Sequence, residues 1–148
     1  PSGCLIRPRL SADSIQDRAI RCACCAVTAT LAARGAIHLM AGMLGIFHHD
    51  PRNVPEADLR ALAGVSVDPD FDIADPLQEV VLPGGEYAVL RFPGPYTGLQ
   101  SAYDYFLGPW LAQSGRDPDE SPCFEVYLNT PAEVAPEDLV TDIYLPLK

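Results

Sequence analysis

A chain of 148 residues with 48% hydrophobic residues and a mean hydropathy of +0.06 can bury a core and is too apolar for disorder. Ten Lys+Arg against twenty Asp+Glu give a formal charge of −10 and no basic stripe. Direct nucleic-acid binding is therefore not expected, whereas cationic small molecules or basic protein partners suit an acidic surface, unless the charge only keeps the protein soluble.

No apolar run approaches a membrane span, and no signal peptide is visible. Five cysteines, with Cys22, Cys24 and Cys25 crowded together, do not form a disulfide framework and fit a reducing cytoplasm. A start at Pro1 without Met reads as a processed terminus or a domain cut from a longer protein.

In chain order, Cys4-Leu5-Ile6-Arg7 reads as a strand that Pro8 makes short or places at an edge. Asp13 or Ser14 caps a helix running to about Arg34, with Gly35 as its stop. From Cys22 to Ala33 that helix is almost wholly small and apolar, so it is expected to be covered on most sides. A strand over Leu44–Phe47, a Pro-rich turn and a returning strand at Val65-Ser66-Val67 follow.

Gly84-Gly85 opens a strand over Glu86–Phe92, and Pro93-Gly94-Pro95 closes it. Leu99, Tyr103, Phe106 and Trp110 then recur at helical spacing, with Ser114-Gly115 as the stop. Pro109 lacks an N–H and is expected to kink or weaken the turn around Tyr105. Strands over Pro122–Asn129 and around Ile143-Tyr144-Leu145 complete the chain.

The chain repeats itself. Leu44-Gly45-Ile46-Phe47-His48-His49-Asp50-Pro51 can be laid over Phe124-Glu125-Val126-Tyr127-Leu128-Asn129-Thr130-Pro131. Phe47 then aligns with Tyr127, and Pro55-Glu56 downstream echoes Pro136-Glu137. Two strand-helix-strand-strand units follow, at about residues 4–68 and 80–148 of one domain spanning 1–148. The fold class expected is α+β, a mixed and mainly antiparallel sheet with two helices on one face and a ligand groove between the repeats.

Strand alternation puts Cys123, Glu125 and Tyr127 on one face of the 122–129 stretch. Phe124, Val126 and Leu128 share the other, which reads as core. A carboxylate partly withdrawn from water must find a partner, protonate, or await a cationic ligand. The alternative is an edge carboxylate bathed in solvent. In the first repeat its counterpart is Gly45, which gives space rather than charge.

No metal site is expected. Consecutive His48, His49 and Asp50 cannot converge on a strand, and the Cys22/Cys25 pair lacks a second pair at zinc-site spacing. His38 has no partner by sequence. No Ser-His-Asp or Cys-His spacing stands out, and no cofactor is indicated.

Taken in order, Leu82-Pro83-Gly84-Gly85-Glu86-Tyr87-Ala88-Val89, Gly94-Pro95-Tyr96, Trp110-Leu111-Ala112-Gln113-Ser114-Gly115 and Phe124-Glu125-Val126-Tyr127-Leu128-Asn129 resemble the GyrI-like small-molecule-binding domain. Thr141-Asp142-Ile143-Tyr144-Leu145-Pro146-Leu147 and the Gly45–Pro51 segment extend the resemblance over about residues 42–148.

The resemblance implies a pocket between the repeats, lined by aromatics and a carboxylate. Glu125 and Tyr127 match the family's Glu-x-Tyr motif, Phe47 its first-repeat aromatic, and Tyr96 its Gly-Pro-Tyr; Trp110 and Tyr144 match further cavity positions. It also implies multidrug-type binding of a hydrophobic, aromatic or cationic molecule, as the effector-binding part of an AraC- or MerR-type transcription regulator. The DNA-binding part would lie upstream or on another chain. Two alternatives stay open. One is a hydrolase of cyclopropane-bearing electrophiles, with Glu125 as general base and Tyr127 or Tyr96 as proton donor. The other is an acidic protein that inhibits DNA gyrase. Where members carry a Gly-Pro-Tyr-like turn before the first helix, this chain has Asp13-Ser14-Ile15-Gln16, and its cysteine-rich helix is likewise atypical.

Overall fold

The computed structural model describes residues 4–8, 28–35, 40–49, 54, 55, 58, 61–67, 73 and 77–148. The chain divides into two compact units, Pro1–Gly84 and Gly85–Lys148, each combining antiparallel strands with helix in an α+β arrangement.

In the first unit, β1 (Cys4–Pro8), β2 (Met40–Phe47), β3 (Ala61–Val67) and β4 (Leu77–Val81) lie in the order β4-β1-β3-β2. All three pairings are antiparallel. β1 is short, as Pro8 suggests, but it is not an edge strand. Its first three residues pair with β3 and its whole length pairs with β4. Pro8 is tolerated because it lies past the β3 pairing, opposite Leu77 alone. β4 had no counterpart in the sequence reading. Leu44 and Ile46 on β2, and Ala63, Val65 and Val67 on β3, form buried parts of this unit.

Residues 28–33 are helical (α1), and Gly35 ends the helix at φ +67 as expected, its N–H donating to the Ala32 carbonyl at 3.0 Å. Leu31 is fully buried, but Ala29, Ala32 and Ala33 are exposed. This last stretch is thus less covered than its apolar composition suggests, since small alanines are tolerated in water on a helix. The Asp13 or Ser14 cap, Cys22, Cys24, Cys25, His38 and Asp50 lie outside the described residues.

In the second unit, β5 (Glu86–Pro93) leads through a 3-10 turn (Tyr96–Gly98) into α2 (Leu99–Tyr105). A π-helical turn (Phe106–Trp110), α3 (Leu111–Ser114), β6 (Cys123–Tyr127) and β7 (Val140–Leu147) follow. The strands lie in the antiparallel order β6-β7-β5. Pro109 perturbs the helix as expected, and the perturbation takes the form of the π turn. Proline offers no N–H to the carbonyl four residues back, so the ladder widens there. Gly115 at φ +65 stops α3 where the sequence indicates. Between β6 and β7, the Asn129 side chain donates to the Asp138 carbonyl and accepts from the Val140 N–H, which pins the connection.

Ala102 and Phe106 of the helical stretch pack on Ile143 and Leu145 of β7, flanked by Ala88, Leu90 and Phe92 of β5 and Cys123 of β6. The sequence reading of β6 holds for Phe124, which is buried, and for Glu125, which is withdrawn from water, but not for Leu128, which is exposed. The helix covers the face of Cys123, Glu125 and Tyr127, not that of Phe124, Val126 and Leu128. Phe124 is buried in an aromatic cluster on the far face, stacked on Tyr144 with centroids 4.5 Å apart and met edge-on by Tyr87, while Leu128 is exposed. Both faces of β6 carry apolar residues, so alternation alone could not tell which one the helix takes.

Candidate functional site

Glu125 is 3% exposed, at the centre of β6 and opposite Ile143 in register. Burying a carboxylate is costly unless its oxygens are met by donors. Tyr103 supplies one, its hydroxyl donating to Glu125 Oε1 at 2.9 Å. The bond is tertiary. α2 carries Tyr103 over the sheet because Leu99, Ala102 and Phe106 hold the helix to β7 and β5.

Burial chiefly, and then the negative charge of Glu125, push the Tyr103 phenol well above its ordinary value of 10.0. It therefore stays protonated and remains a donor. Its hydrogen bond satisfies an oxygen without cancelling the carboxylate's charge. Because the folded state holds the Tyr103 proton more tightly than the unfolded chain, the associated stability is complete below about pH 10 and is lost as pH rises towards the folded value. Urea titrations are expected to show stability falling above about pH 10, less steeply in Tyr103→Phe than in the wild type.

Two residues along the same face of β6 stands Tyr127, and the 3-10 turn brings Tyr96 edge-on to it, with centroids 5.5 Å apart at 68°. Both tyrosines are half-buried. Gly98 lets that turn sit close to the sheet, since a Cβ there would lie 2.6 Å from Phe92 Cζ. Side-chain volume rather than φ requires glycine at this position, whose φ is −87.

Of the expected site residues, Glu125, Tyr127 and Tyr96 are thus brought together. Trp110 instead packs on Phe106, with centroids 4.9 Å apart, in the helix–sheet core. Tyr144 lies on the far face of the sheet against Phe124. Phe47 is half-buried at the end of β2 in the other unit, paired with Ala61. Tyr103 was missed as a site residue. Its signal was present in the sequence, as the polar-tipped member of the Leu99–Trp110 stripe.

The second buried carboxylate, Asp142 on the far face, is answered by a cation. Arg91, directly opposite on β5, makes two hydrogen bonds of 2.8 Å to its two oxygens. That pairing is structural and lies on the sheet face opposite that of Glu125. Among the described residues no group of three or more His, Cys, Asp and Glu is placed to hold a metal ion. Among them, too, no helix is long and apolar enough to cross a membrane.

Residues 33–148 match the GyrI-like small molecule binding domain. The chain belongs to that family. A relative, the DNA gyrase inhibitor of Yersinia enterocolitica serotype O:8, is 36% identical over 90 residues, covering 58% of this chain and 57% of its own length. This GyrI-like chain thus spans little more than half of that relative.

The crystal structure of the EcmrR C-terminal domain matches with a TM-score of 0.69 at 15% identity, covering all of this chain and 92% of that one. EcmrR in its complex with DNA matches at 0.67 and 15% identity, with all of this chain and 55% of that one covered. SAV2435 bound to tetraphenylphosphonium matches at 0.60 and 17% identity, over 99% of this chain and 89% of that one. At these identities the likeness establishes a shared fold.

Proposed function

We propose that this GyrI-like domain binds hydrophobic aromatic cations against Glu125, and that binding serves effector sensing in a transcription regulator. The observation that carries the reading is a buried carboxylate hydrogen-bonded by Tyr103 beside the half-buried Tyr96–Tyr127 pair. The rings would bury a flat ligand and attract its charge, each contact contributing on the order of 0.5–2 kcal/mol. The carboxylate would neutralise the cation where water is scarce. SAV2435, seen with tetraphenylphosphonium, supports the ligand class, and EcmrR, seen with DNA, supports the regulatory role.

Tetraphenylphosphonium at a hundredfold over its dissociation constant is expected to add about 2.7 kcal/mol, a rise in melting temperature of about 5–10 °C. A neutral aromatic of similar size at the same concentration should give a smaller rise. Equal shifts for the two, or none for the cation, would overturn the reading. The gyrase-inhibitor relative favours a second reading. Slowed DNA supercoiling by gyrase on adding this chain, with no cation shifting its melting, would select it.

A further inference from the structure

Thr141 is fully buried, and its Oγ1 has no hydrogen-bond partner among the described residues. Buried hydroxyls in folded proteins nearly always find a partner, so this one calls for a reason. Packing does not supply it. Valine has the same branched shape, suits a strand equally well and brings no polar atom to bury.

Its place in the sheet does supply one. Thr141 lies opposite Tyr127 on β6 and opposite Phe92 on β5, so it shares the face of Glu125. Phe92 in turn lies under the turn that carries Tyr96. Residues two apart on a strand are about 6.8 Å apart and neighbouring strands about 4.8 Å, which puts Thr141 roughly 8 Å diagonally from Glu125.

We propose that Thr141 is a second, neutral binding point of the Glu125 site, where its hydroxyl donates to a carbonyl or ether oxygen of the ligand. The ligands selected are aromatic cations carrying an acceptor about 8 Å from the charge, the separation of the two residues across the sheet. The proposal rests on Glu125 as the cation's partner. The Tyr96 and Tyr127 rings beside Thr141 would then hold the aromatic spacer, exchanging their edge contact with each other for contact with the ligand.

Two probes of equal charge and nearly equal shape test it: 4-acetylbenzyltrimethylammonium, whose carbonyl lies at about the required separation, and 4-isopropylbenzyltrimethylammonium, which has no acceptor. Calorimetric titration of the wild type is expected to show the acetyl compound binding about fivefold tighter or more, the size of one hydrogen bond. Thr141→Val should bring the two affinities together, and Thr141→Ser should keep the preference. Glu125→Gln should weaken both compounds about tenfold while leaving their ratio unchanged.

If the wild type does not discriminate while Glu125→Gln still weakens both, Thr141 is overturned and Glu125 stands. Glu125→Gln without effect on either compound overturns the cation reading beneath it. Thr141→Val should melt no lower than the wild type, because it removes a buried polar atom lacking a partner. A lower melting temperature would mean that the hydroxyl has a structural role, and would also overturn the proposal.

Discussion

Glu125→Gln is expected to weaken hydrophobic aromatic cations about tenfold or more, while neutral aromatics of the same size keep their affinity within about twofold. Glutamine preserves the shape of the side chain, and its carbonyl can still accept from the Tyr103 hydroxyl. Only the charge is lost, so what changes is the electrostatic part of binding.

Removing one partner of a buried charge pair costs about 2–5 kcal/mol, because the other charge is left buried without compensation. Tenfold in affinity is about 1.4 kcal/mol, so the prediction asks for less than that range allows. Calorimetric titration with one cation and one neutral compound decides the matter. Equal loss for both would mean that Glu125 shapes the site without pairing with charge.

That residue was legible in the sequence because strand alternation is a local property. The 122–129 run assigned Glu125 and Tyr127 to one face, and the structure keeps them there. What alternation could not give was the identity of that face. Phe124 and Cys123 sit on opposite sides of one strand, each against apolar neighbours. Only the docking of the Ala102–Phe106 stripe shows which side the helix covers. The Tyr103–Glu125 bond was hidden for the same reason, since it joins residues 22 apart through the packing of a helix on a sheet.

Stops and breaks fared better than partners. Gly35, Pro109 and Gly115 act through their own backbone chemistry, and each alters its helix where the sequence placed it. β4 escaped notice because Leu77-Gln78-Glu79-Val80-Val81 has no clean period of two and pairs only with β1, far away in sequence. Of the two outcomes Pro8 allowed, a short strand or an edge, the first holds; β1 is not an edge because an antiparallel neighbour can end before the proline is reached.

Phe106→Ala should be the most destabilising single truncation in the second unit, costing about 3–5 kcal/mol by urea titration. Phe106 is 2% exposed, lies against Trp110 and packs with Ala102, Ile143 and Leu145. Alanine is the better helix former, so local propensity offsets part of the loss, and what remains measures packing. A total stability of about 5–15 kcal/mol leaves such a variant folded but marginal. Phe106→Leu, which keeps most of the volume, should cost much less. Because the same helical stretch holds Tyr103 over Glu125, loosening it should also lower the pH at which the late-titrating phenol ionises, visible as an earlier rise in tyrosinate absorbance. A loss below about 1 kcal/mol would mean that this core does not hold the helix to the sheet. The positioning of Tyr103 over Glu125 would then need another cause.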